Sequence, residues 1–123
     1  MILALLLLPT AAGLACFLIR ADTPRRTVLV LAALAHAVLT AGVWIAEPAP
    51  ALDGWLALDA LGRLFLSVTS ALFLAAAVYG VGYLSREHRG TREDFEAGSF
   101  FVNAPEAVFT GCLLLFLATM TLV

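Results

Sequence analysis

One stretch of this chain keeps all its charge at its two ends, and that constrains the fold more than any motif does. "DALGRLFLSVTSALFLAAAVYGVGYLSREHRG" opens with Asp59 and Arg63, stays apolar through the middle, and closes on Tyr79, Tyr83 and a burst of arginine. A helix crossing the hydrocarbon core of a bilayer needs roughly 20 apolar residues in a row. A soluble core helix needs neither that length nor a charge-free middle. Three further apolar runs accompany it, and the four lie at about 2–19, 27–46, 60–84 and 109–123. They are continuous, without the strict alternation of barrel strands, and in lipid only helices or closed barrels satisfy the backbone. The expected fold class is therefore all-α: a polytopic membrane protein in which residues 1–123 form a single transmembrane bundle.

Composition agrees. Hydrophobic residues make up 63% of the chain and charged residues 13%, against about 25% charged in ordinary globular domains. A net charge of −2 offers no basic surface to nucleic acid. The first run, "MILALLLLPTAAGLACFLIR", lacks the basic start of a signal peptide, so a retained helix is expected. Pro9 is tolerable in it near an end or as a kink. The fourth run is still apolar at Val123, a pattern shared by natural C-termini and by helices that continue in a longer subunit.

Orientation is read from arginines in short loops. Arg20, Arg25 and Arg26 lie in the first loop and Arg86, Arg89 and Arg92 in the third, with only Arg63 near the second. Loops one and three are thus expected on the cytoplasmic side and the N-terminus outside, in the inner membrane of a bacterium. Asp59 suits a helix N-cap, and Arg63, at i+4, can pair with it or reach back to the headgroups. Tyr79 and Tyr83 suit one interface as an aromatic belt, Trp44 and Trp55 the other. Alanines 33, 37 and 41, and Ser67, Ala71 and Ala75, form small-residue stripes that suit helix packing in lipid. Gly80, Gly82 and Gly90 read as the end of the third helix and its turn.

Chemistry has one candidate within the apolar runs. His36 lies near the middle of the second run, and an ionisable group there is a functional hypothesis by default. Its ordinary pKa near 6.5 would suit a proton path; the alternative is a neutral ring bonded to Thr40 or to a neighbouring helix. Asp59 and Arg63 either cap and anchor their helix or line a polar vestibule. Cys16 and Cys112 read as packing residues, without metal spacing. No phosphate loop, metalloprotease motif or nucleophile elbow is present. No catalytic residue and no metal or cofactor site is expected in this chain.

From Asp59 onward the text resembles the antiporter-like proton-translocating subunits of respiratory complex I, membrane-bound [NiFe] hydrogenases of the hydrogenase-4 component B type, and multisubunit Na+/H+ antiporters. The resemblance rests on Asp59, Leu61, Gly62, Phe65 and Leu66, on Tyr79, Gly80, Gly82, Tyr83 and Leu84, and on Phe109, Leu113, Leu115, Phe116 and Met120. It covers about residues 52 to 123; Gly62 stands where the family usually has Ser, and the loop 85–108 is longer than usual. It implies the N-terminal scaffold helices of a longer subunit in a redox-driven proton- or cation-translocating complex. The family's proton-handling Glu and Lys lie in later helices, so none maps onto this chain. Partners implied are other membrane subunits, which would carry any iron–sulfur, flavin or nickel–iron group; the lipid bilayer is the surroundings. A small non-conducting structural subunit packing against a larger complex is the alternative.

Overall fold

The computed structural model describes residues 1–87 and 106–122. These form four helices: α1 (Ile2–Leu18), α2 (Asp22–Ile45), α3 (Ala60–Glu87) and α4 (Glu106–Met120). At 1.5 Å per residue, α2 and α3 are about 36 and 42 Å long, and α1 and α4 about 26 and 23 Å. Only α2 and α3 are both long and apolar enough to cross a membrane; α1 and α4 are shorter apolar helices.

Boundaries differ from the sequence reading where polar residues suit a helix end. α2 starts at Asp22, not 27, because an acidic residue favours the first turn and a proline is harmless there; here these are Asp22 and Pro24. α1 continues through Pro9, which is buried. α3 runs to Glu87, so Gly80 and Gly82 lie inside it and mark no helix end; Gly90 lies outside the described residues. Between α2 and α3 the chain makes a small hairpin, with Ala51 and Leu56 exchanging backbone hydrogen bonds of 2.9 and 3.1 Å. Leu52, Asp53 and Gly54 at its tip all have positive φ, a strained run for the two that are not glycine.

Successive helices run up and down. We call the end where α1 stops and α2 starts the arginine end, and the other the hairpin end. α2 and α3 are antiparallel: Arg26 reaches Leu84 at one end and Trp44 reaches Ser67 toward the other. α2 and α4 are parallel, linked by Arg26 to Glu106 and by His36 to Thr121. α1 packs mainly on α4 and α2 on α3.

Each helix buries one stripe. On α3 it is Leu66, Ser70, Phe73, Ala77 and Gly80, alternating steps of four and three, the spacing of left-handed helix packing. On α2 it is Arg25, Leu29, Ala32, Ala33, His36, Thr40 and Val43. The expected small-residue stripes are not these seams: Ala33 is buried, but Ala41, Ala71 and Ala75 are exposed. Glycine brings α1 against α4 instead. A Cβ on Gly13 would sit 3.1 Å from Leu115 Cγ and 3.2 Å from the Gly111 carbonyl oxygen; one on Gly111 would sit 2.6 Å from the Phe17 ring. Close backbone approach of this kind is how helices associate in lipid.

Gly13→Leu should therefore lower the bundle's stability by roughly 1–3 kcal/mol, the usual cost of overpacking. Denaturation in mixed micelles measures it, with Gly42→Leu as a control, since a Cβ at Gly42 meets only Met1 Sδ at 3.8 Å.

Candidate functional site

Two polar clusters cross the bundle, one at the arginine end and one around His36. At the arginine end α1 stops with its last carbonyls lacking helical partners, as every helix does. Arg25, 5% exposed, supplies them: its Nε donates to Cys16 O at 3.2 Å and its Nη2 to Ile19 O. Its Nη1 meets Asp22 Oδ1 at 2.7 Å. Beside it, Arg26 grips Glu106 with both arms of its guanidinium, Nε to Oε1 at 2.7 Å and Nη2 to Oε2 at 2.8 Å. The same Nη2 donates to Leu84 O at 3.1 Å. Their side chains are only 15% and 12% exposed, so one pair of groups ties α2, α3 and α4 together. A paired, bidentate fork is the geometry in which arginine binds carboxylate best.

His36 is fully buried. Its Nδ1 lies 3.1 Å from Ser70 Oγ on α3, and its Nε2 lies 3.1 Å from Thr121 Oγ1 just past α4. The ring thus bridges to neighbouring helices. Thr40, its possible partner on α2, is not used: the Thr40 hydroxyl is buried with no hydrogen-bond partner. Ser70 and Thr121 were not singled out from the sequence, where isolated hydroxyl residues in apolar runs carry no directional signal.

Asp59 and Arg63 do separate work. Asp59 Oδ1 accepts from the Gly62 backbone N–H at 2.6 Å, a side-chain N-cap for α3. Arg63 instead pairs with Glu47, Nη2 to Oε1 at 2.7 Å. The expected i,i+4 pair fails because the cap turns the Asp59 carboxylate onto the helix end, while the chain beyond α2 brings Glu47 within reach.

Of the residues that carry the family resemblance, Leu66 and Gly80 are buried in the α3 seam, whereas the aromatic ones lie outward. Tyr79, Tyr83, Phe116 and Met120 are all exposed, and nothing lies within 4 Å of where a Gly82 Cβ would be. Phe116 and Met120 border an apolar groove of about 310 Å³ between α3 and α4, with Thr69, Leu72 and Leu113. Cys16 is buried, Cys112 exposed, and both are free. Among the described residues no three His, Cys, Asp or Glu side chains come together as a metal site. Arg89, Arg92, Glu93, Asp94 and Glu96 of the third loop lie outside the described residues. No family model, curated protein or solved structure matches the chain.

Breaking the arginine-end clasp should cost more than removing it. Glu106→Gln strands a guanidinium in a mostly buried position, and a loss of roughly 3 kcal/mol is expected. Arg26→Met combined with Glu106→Leu should fall closer to wild type than either single change, as a double-mutant cycle in mixed micelles would record.

Proposed function

We propose that this chain is a multi-pass membrane subunit that serves as scaffold within a larger ion-translocating complex of the antiporter-like kind. The observation that carries the membrane part is an inversion of polarity. The bundle faces outward with Leu7, Leu14, Leu31, Val38, Leu64, Leu72, Val78 and Phe116. Inside it buries Arg25, His36, Thr40, Ser70 and Thr110. In water that outer surface would form apolar patches of the kind that drive association; in lipid it costs nothing. α2 and α3 have the length for the crossing, and α1 and α4 complete it with modest local thinning of the bilayer. Loops one and three then face the cytoplasm, by the arginine bias.

The scaffold role rests on the resemblance from Asp59 onward and on what the interior holds. His36 is the only His, Asp, Glu or Arg buried away from the helix ends among the described residues. A proton path across a membrane needs a chain of titratable groups. Translocation, with any redox cofactor, would belong to helices and subunits beyond this bundle. The same feature supports a second reading, a small non-conducting subunit packed against such a complex.

Affinity purification of the tagged chain from its native membrane tests the proposal. The expected result is co-purification of larger membrane subunits together with iron–sulfur, flavin or nickel–iron absorbance. Intact mass separates the two readings: a polypeptide several-fold heavier than 13.0 kDa favours a longer antiporter-like subunit, and 13.0 kDa favours the small accessory one. Recovery of the chain alone, with no membrane partner, would overturn both.

A further inference from the structure

The hydrogen bonds around His36 decide which nitrogen carries its proton. Thr121 Oγ1 lies 2.8 Å from Leu117 O, one turn back along the chain. A carbonyl can only accept, so the Thr121 hydroxyl hydrogen is drawn there, and its oxygen is left to accept from the ring. Nε2 then carries the hydrogen and donates to Thr121, while Nδ1 is bare and accepts from the Ser70 hydroxyl. Every hydrogen in this arrangement has an acceptor. The opposite tautomer would have Nδ1 donating to Ser70 and Thr121 donating to Nε2. It would give up the bond to Leu117 and leave the Ser70 hydroxyl hydrogen without a described acceptor. Counting satisfied groups selects the first arrangement.

We infer that His36 is a protonation-sensitive latch, which as the neutral Nε2–H tautomer ties the hairpin end of α4 to α2 and α3. A second proton has no place in this site. It would go to Nδ1, turn the Ser70 bond from accepted to donated, and put a charge in a fully buried position. Among the described residues the ring's hydrogen-bond partners are the uncharged Ser70 and Thr121; Asp59 borders the cavity beside Thr121, but its carboxylate is engaged as the α3 cap. On α2 the nearest charged side chain is Arg26, about 15 Å away along the axis at 1.5 Å per residue, and Glu47, beyond the end of α2, is paired with Arg63. On α3 Arg63 is about 10 Å from Ser70, and on α4 Glu106 is about 22 Å from Thr121 by the same measure. α1 has no charged side chain between Met1 and Ile19. Nor does the cluster extend as a wire, since the Thr121 proton ends on a backbone carbonyl. Acidification therefore places an unpaired charge among α2, α3 and α4, and that cost is relieved only when the hairpin end of α4 draws away and admits water to the ring. α4 stays held to α2 at the arginine end by Arg26 and Glu106 and against α1 at Gly13 and Gly111, so the movement falls at its hairpin end.

Two measurements test the latch on the full chain in phosphatidylcholine bilayers. In a His88→Gln background, nitrogen-15 NMR of the remaining histidine should show Nε2 protonated and Nδ1 bare at pH 8. An Nδ1–H tautomer, or a doubly protonated ring, would overturn the assignment. Spin labels on cysteines replacing Val38 and Phe116, both exposed, with Cys16 and Cys112 changed to Ala, then report the α2–α4 separation. The distance distribution should broaden between pH 8 and pH 5, and should stay constant in His36→Gln, whose amide keeps a donor but does not titrate. A distribution indifferent to pH with His36 present would overturn the latch, as would equal broadening in His36→Gln.

Discussion

Arg26 and Glu106 stand 80 residues apart in sequence and meet as a bidentate pair whose side chains are only 15% and 12% exposed. A guanidinium or a carboxylate shut away from water without its partner is among the most costly things a fold can contain. Their pairing therefore sets where the fourth helix starts relative to the second. Through the Leu84 carbonyl it also sets the third. With Arg25 closing the carbonyl end of α1, two adjacent arginines organise all four helices at one end of the bundle. The rest of the register follows along rods of fixed rise: His36 arrives at Ser70 and Thr121, Trp44 at Ser67, and Gly13 at Gly111.

The same economy explains the interior. In the proposed membrane setting, lipid supplies no force that drives apolar helix faces together, so packing, small residues and internal hydrogen bonds hold the bundle. The glycine contact between α1 and α4 and the imidazole bridge between α2, α3 and α4 are two such devices. Water-soluble bundles bury their apolar stripe and wet the other; here the stripes that meet contain Arg25, His36, Thr40, Ser70 and Thr110, and large apolar side chains also cover the outward faces.

That symmetry governs how much could be read beforehand. The existence and type of the four helices followed from continuous apolar runs, because length and polarity alone decide them. The Asp59 cap was legible because a cap is local. The facing of each helix was not: when core and surroundings are equally apolar, hydrophobic periodicity vanishes, and alanine stripes at 71 and 75 look as good as the true seam through Ser70, Phe73 and Ala77. Long-range partners were hidden for the same reason. Arg26 reads as one loop charge among several, Glu106 carries no signal of its own, and Arg63 reads as a partner for Asp59 or the headgroups when it reaches Glu47. The signal that would have helped is modest: a single acid and a single base at the heads of two apolar runs that begin on the same side.

The central claim is that this inverted bundle spans a bilayer with its arginine end on the cytoplasmic side. The most direct measurement is labelling from each side of the membrane by an impermeant thiol reagent, with Cys16 and Cys112 replaced by Ala. Single cysteines at Arg20 and Trp55, both on the surface and at opposite ends, serve as reporters. The account predicts that Trp55→Cys reacts in intact cells and Arg20→Cys only after the membrane is opened. Reaction of both sites from the same side, or release of the protein into the soluble fraction, would contradict it.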